Sequence, residues 1–128
     1  MSVLVKALLV ASGGALGALS RWGVGEAALK LGHGAPLGTL VVNLAGCLLI
    51  GMATAAVDTM GFSRPELRIF VFTGFLGAFT TFSTFEADAF GLWRLGERSL
   101  SIAYLLGSVG GGLLCFLVGW FVVERLAQ

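Results

Sequence analysis

The stretch Thr73-Gly74-Phe75-Leu76-Gly77-Ala78-Phe79-Thr80-Thr81-Phe82-Ser83-Thr84-Phe85 lies within a run that carries no charge from Ile69 to Phe85. Its rings, Phe75, Phe79, Phe82 and Phe85, recur every three or four residues, the spacing at which side chains share one helix face. A strand of a membrane barrel alternates apolar and polar residues, and this run does not. The segment therefore reads as the middle of a helix in lipid, with a ladder of phenyl rings along one face. It is an awkward helix. Glycine weakens a helix by about 1 kcal/mol relative to alanine, and two glycines stand beside a cluster of hydroxyls. Two conformations fit. Either the helix breaks near 77–80 and the hydroxyls satisfy freed backbone groups, which lipid tolerates only inside protein or along a cavity, or it stays intact with its hydroxyls bonded back to its own carbonyls.

The flanking sequence repeats the pattern. Of the 128 residues 57% are hydrophobic and 12% charged, about half the roughly 25% charge of a soluble domain. Mean hydropathy is +0.96. Unpaired charges are costly deep in lipid, so they mark span ends. One apolar run lies between Lys6 and Arg21 and extends to about Leu29. A second lies between Lys30 and Asp58, with Pro36 suited to its first turn. The third begins near Pro65, after a loop punctuated by Gly61 and Ser63. The fourth is charge-free between Arg98 and Glu124, after a loop at Gly96 to Ser99. The expected fold is an all-α integral membrane protein: one four-helix domain over 1–128, with spans at about 3–29, 36–58, 66–95 and 99–125. The opening MSVLVKALLV resembles a leader peptide, but the apolar pattern continues past it without a polar cleavage region, so it reads as the first span.

Several function classes fall away. A net charge of +1 offers no basic face to nucleic acid. His33 has no ligand cluster around it. Cys47 and Cys115 lie in apolar runs without CxxC spacing and read as buried thiols acting as small hydrophobes. No Ser/His/Asp set, metal-ligand spacing or phosphate loop appears. GSVGGG at 107–112 follows no strand and lies inside a span. The chain does not read as an enzyme.

Charge also bears on assembly. With four spans, Lys6, Arg64, Arg68 and Arg125 share one side and Arg21, Lys30, Arg94 and Arg98 the other. Lys and Arg normally favour the cytoplasmic side, and a tally of four against four favours neither. Dual topology follows if the balance has a purpose; otherwise the bias is merely weak. Gly13 and Gly17, and Gly107 and Gly111, have the four-residue spacing that lets helices approach closely, within the chain or between chains.

The chemistry must come from polar groups in hydrocarbon. Asn43 sits mid-span with Thr39 one turn before it, and Tyr104 and Ser108 lie one turn apart in the fourth span. An amide offers two N–H donors and costs about 1–3 kcal/mol if buried unpaired, so Asn43 binds a neighbouring helix or faces a polar path. Phenyl edges are electropositive: the ring ladder either packs or lines an anion route. Donors without cations suit a small anion that must also leave. Carbonyls freed at a helix break can bind a cation.

With GGALGALSRW at 13–22, GTLVVNLAG at 38–46 and GFLGAFTTFSTF at 74–85 in this order, the chain resembles the Fluc, or CrcB, family of fluoride channels over nearly its whole length. The resemblance implies passive fluoride export that relieves toxicity, through two pores in an antiparallel, dual-topology homodimer of the bacterial inner membrane. It implies a structural sodium ion at the dimer centre, held by the backbone carbonyls of Gly77 and Thr80. It implies pore rings at Phe82 and Phe85, a pore amide at Asn43, and a polar track of Ser83, Thr39, Tyr104 and Ser108. Arg21 falls at the pore mouth, where an interfacial anchor is the other role. Asp88 falls where relatives carry an acid near the pore end, and Gly112 departs from relatives that continue the track with a hydroxyl. A four-span multidrug exporter would want a carboxylate in the first span, and Ala7 to Ser20 has none. A non-transporting assembly subunit would use only the glycines.

Overall fold

The computed structural model describes residues 1–61 and 64–128, apart from the Met60 side chain; Ser63, expected in the loop before the third span, lies outside the described residues. Every regular element among the described residues is helical. Helix α1 (Val3–Lys30) starts at Ser2, whose hydroxyl accepts the Val5 N–H at 3.3 Å, satisfying one of the donors a helix start leaves free. Helix α2 (Ala35–Met60) has Pro36 in its first turn and ends at Gly61, whose φ of 62° is the left-handed conformation that stops a helix. The third span is composite: α3 (Pro65–Arg68), a π-helical stretch π1 (Ile69–Leu76), one turn α4 (Gly77–Phe79), then α5 (Phe82–Arg94). Helix α6 (Arg98–Leu126) completes the chain. The segments Val3–Lys30, Ala35–Thr59, Pro65–Arg94 and Arg98–Leu126 are long and apolar enough to cross a membrane.

Small residues set the packing. A Cβ on Gly13 or Gly17 of α1 would run into the carbonyls of Phe70 and Phe75 in π1. Backbone therefore lies against backbone, and numbering rises together along α1 and the third span. The same device joins α2 to α6. Gly51 lies on the Phe116 carbonyl and Gly119 on the Leu48 carbonyl. Of the two glycine pairs singled out above, Gly13 and Gly17 work within the chain. Gly107 faces open space, and Gly111 meets only the Leu44 side chain. Phe85, Ala89 and Tyr104 form a small core between α5 and α6, supported by Leu40, Leu92 and Leu105. Leu106, Val109 and Leu113 are exposed, as side chains facing lipid would be.

The break falls at the far end of the stretch expected near 77–80, and the ring ladder needs correction. Gly77 through Phe79 stay helical, and the chain leaves the helix only at Thr80 (ψ 159°) and Thr81 (φ −150°, ψ 122°). Both departing residues are β-branched, which disfavours helix, and both have their own hydroxyl bonds. The Thr80 Oγ1 donates to the Leu76 carbonyl at 3.0 Å, so back-bonding occurs even though the helix breaks. Thr81 caps α5 by accepting the Thr84 N–H at 3.3 Å. The ring ladder is accordingly not continuous. Phe75 and Phe79 stack before the break, with centroids 5.5 Å apart and planes 12° apart. Phe82 and Phe85 tilt at 51° after it, 5.8 Å apart. Two extended residues re-aim everything that follows, so spacing that holds along one helix fails across the gap.

Candidate functional site

The break is held by groups distant in sequence. The Asn43 amide closes a two-bond ring with Thr81. Its Oδ1 accepts the Thr81 N–H at 2.8 Å, and its Nδ2 donates to the Thr81 carbonyl at 2.9 Å. In an unbroken helix that N–H would go to the Gly77 carbonyl. The Asn43 side chain thus substitutes for the missing helical bond and keeps one amide N–H in reserve. From the other side, Arg21 Nη1 donates to the Thr80 carbonyl at 3.3 Å. A guanidinium at the carbonyl end of a half-helix is favourable, because that end carries partial negative charge. Gly46 makes room: a Cβ there would collide with the Thr80 methyl.

Two cavities flank this partition, and Thr81 lines both. The first has a volume of about 380 Å³ and includes Asn43, Cys47, Thr80, Phe82, Phe85 and Ser108 in its wall. No Asp, Glu, Lys, Arg or His contributes to it. The Ser108 Oγ is buried and has no hydrogen-bond partner among the described residues. Buried hydroxyls are nearly always paired, so this one leaves a donor proton available at the cavity wall. The second cavity, about 390 Å³, is charged: Arg21 and Glu26 line it with Trp22, Thr39 and Thr84.

The structure brings Asn43, Phe82, Phe85, Ser108, Gly77 and Thr80 together at the first cavity, and Arg21 and Thr39 at the second. Phe85 is 5% exposed and Phe82 is 74% exposed, so one ring is fixed in the core and the other projects outward. Tyr104 lies behind Phe85, with centroids 5.4 Å apart, and its hydroxyl donates to Asp88 Oδ2 at 3.4 Å. That contact gives Asp88 a partner on α6. Thr39 is buried and donates to the Ala35 carbonyl at 3.5 Å. Ser83 is exposed and lines neither cavity. Cys47 and Cys115 are half-buried rather than buried, and Cys47 borders the first cavity. Sequence reasoning missed Thr81 and Thr84. The signal was available in the Thr-x-x-Thr spacing, which resembles a helix N-cap with its partner three residues on. Among the described residues no group of three His, Cys, Asp or Glu side chains is placed to hold a metal.

These features define a helical protein with a polar partition between a charged and an uncharged cavity, at a break in a membrane-length span. The chain belongs to the CrcB family, described as CrcB-like protein, Camphor Resistance, whose profile matches residues 8–120. A relative from Chlorobium phaeobacteroides, named fluoride-specific ion channel FluC, is 46% identical over 112 residues, 88% of each chain. One of the same name from Rhizobium johnstonii is 42% identical over 125 residues, covering 97% of this chain and 100% of the relative. Another, from Paracoccus denitrificans, is 46% identical over 119 residues, 93% of this chain and 94% of the relative. The chain is a multi-pass membrane protein of a family of channels, not of enzymes.

Proposed function

We propose that this chain forms a fluoride-selective channel that lets the ion leave the cell passively, down its electrochemical gradient, relieving fluoride toxicity. The observation that carries the reading is the orphaned Ser108 hydroxyl on a cavity wall without fixed charge, beside an amide with one free N–H. Fluoride holds its water tightly, so each lost water must be replaced by a donor at close range. Neutral hydroxyl, amide and ring-edge donors compensate dehydration without trapping the ion as a lysine or arginine would. The small halide, with its concentrated charge, gains more from each such donor than chloride does. The relatives named as fluoride channels supply the choice of halide. Arg21 in the charged cavity draws anions toward the partition. The N-terminus of α5 at the break adds partial positive charge beside the path. Thr39, Ser83, Tyr104 and Ser108 form the polar track in this reading.

The working unit is an antiparallel homodimer with two pores. Thr73, Gly77, Ser83 and Thr84 are exposed around a mid-span break, and backbone of this kind is tolerated in a membrane only when protein or water covers it. The outward-facing Phe82 and the open face at Gly107 and Gly110 offer contact to a second copy. The balanced loop charges favour opposite orientation of the two copies.

The carbonyls of Gly77 and Thr80 would hold a sodium ion between the copies. Their oxygens suit a hard cation. The Gly77 carbonyl has lost the Thr81 N–H to Asn43, which frees it for a ligand. The Thr80 carbonyl already meets Arg21, so the guanidinium limits the room left there. Such an ion would supply positive charge that ties two broken spans together. The setting is the bacterial inner membrane.

The test is fluoride-electrode efflux from liposomes containing the purified protein, with chloride as the control. Rapid fluoride release with little chloride release is expected. Vesicles that retain their fluoride would end the reading. Tags on both loop faces, probed in cells, are expected to be accessible from both sides; a single accessible face would remove dual topology alone.

A further inference from the structure

Tyr104, Ser108 and Gly112 follow one another every four residues on α6, so they form a single stripe along that helix. The first two carry hydroxyls, and the third carries nothing. The space beyond Gly112 is nevertheless filled. A Cβ built there would lie 3.2 Å from the Cys47 sulfur, which reaches across from α2. Cys47 is one turn beyond Asn43 on α2 and borders the same uncharged cavity as Asn43 and the unpartnered Ser108 Oγ. The sequence alone made this thiol a filler of apolar space. Its position makes it the next group after Ser108 along the wall.

We propose that the Cys47 thiol belongs to the ion path, standing where a side chain at position 112 would stand and presenting its S–H to the ion after Ser108. The inference rests on the channel reading above. A thiol is a weak donor, so its effect on flux is smaller than that of the amide. It is also the nucleophile on that wall, so the path carries a point of covalent attack. A small reagent such as methyl methanethiosulfonate would reach it: the thiolate attacks the reagent's divalent sulfur, an S–S bond forms to the methylthio group, and methanesulfinate leaves while the thiol proton goes to solvent. The added methylthio group would then narrow the path.

The experiment is fluoride efflux from liposomes, before and after methyl methanethiosulfonate, with size-exclusion chromatography of the treated protein. The unmodified chain is expected to lose at least about ten-fold in flux on treatment while its elution stays the same. Cys47→Ser, which keeps a donor at that place, is expected to conduct fluoride and to lose none of its own flux on treatment, while Cys115→Ser stays sensitive. Cys47→Ala is expected to lose about three-fold in flux, and Cys47→Ala with Gly112→Ser to recover it, because the serine enters the space the thiol vacates. Should the alanine variants not fold, the reagent arms decide. Undiminished flux in the treated parent, or equal block of Cys47→Ser, overturns the inference while the channel reading stands. A parent chain without fluoride flux overturns both.

Discussion

The two sides of the Asn43–Thr81 partition are built from different chemistry. On one side Arg21 and Glu26 line a cavity beside Trp22. On the other a cavity of similar volume, about 380 Å³, sets neutral donors, a thiol and rings among the aliphatic Ile50, Leu76 and Val109, with no charged side chain in its wall. Formal charge acts over a Debye length of about 8 Å at physiological salt and gathers ions. Neutral donors act only in contact and replace water one bond at a time. In the proposed channel this division would place attraction where the ion is hydrated and weak, exchangeable bonding where it is bare. A path with fixed charge throughout would hold the ion, and one with none would not collect it.

Breaking the partition should have the largest effect. Asn43→Ala leaves the Thr81 N–H and carbonyl unpaired, which costs about 2–4 kcal/mol of stability. Fluoride efflux should fall by at least about 100-fold. Flux equal to the parent would make the amide a packing group and dissolve the contrast between the cavities. The ring variants come next. Phe82→Ile should lower flux about ten-fold with little loss of stability, because that ring is mostly exposed in one chain. Phe85→Ile should lower flux similarly and also cost about 1–2 kcal/mol in a detergent melt, since the ring packs on Tyr104. Parental flux in both removes the rings from the path.

Ser108→Ala sharpens the comparison because its two effects oppose each other. Removing an orphaned hydroxyl should leave stability unchanged or raise it by about 1 kcal/mol. Efflux should nevertheless drop about five-fold. A parallel loss of both would mean the hydroxyl has a structural partner. Arg21→Gln should have the smallest effect, about three-fold in flux at low salt, and the difference from the parent should close as ionic strength rises. A deficit that ignores salt would assign Arg21 to holding the Thr80 carbonyl rather than to collecting ions.

Much of the architecture was legible in the residues. Charges at the ends of apolar runs mark four helices, because lipid penalises an unpaired charge wherever it falls. The unusual composition of 73–85, glycines and hydroxyls together, marks the third span as the one under stress. The position of the break was less legible. Glycine is a weak helix former, yet Gly77 stays helical, and the chain opens at two threonines, Thr81 secured by Asn43 and Thr80 met by Arg21. The ring ladder failed for the same reason, since periodicity assumes one uninterrupted helix. Glycine spacing could not separate Gly17, pressed on the Phe75 carbonyl, from Gly107, which faces open space. Both lie in similar local sequence, and only a neighbour tells them apart.

Helix number, length and the polar groups stranded in lipid follow from local composition, since hydrocarbon acts on each segment separately. Partnership does not. Asn43 meets Thr81 across 38 residues, Cys47 fills the space beside Gly112, and Thr81 borders both cavities. Those pairings depend on how closely glycine lets one backbone approach another, a property of packed helices that no single stretch of chain contains.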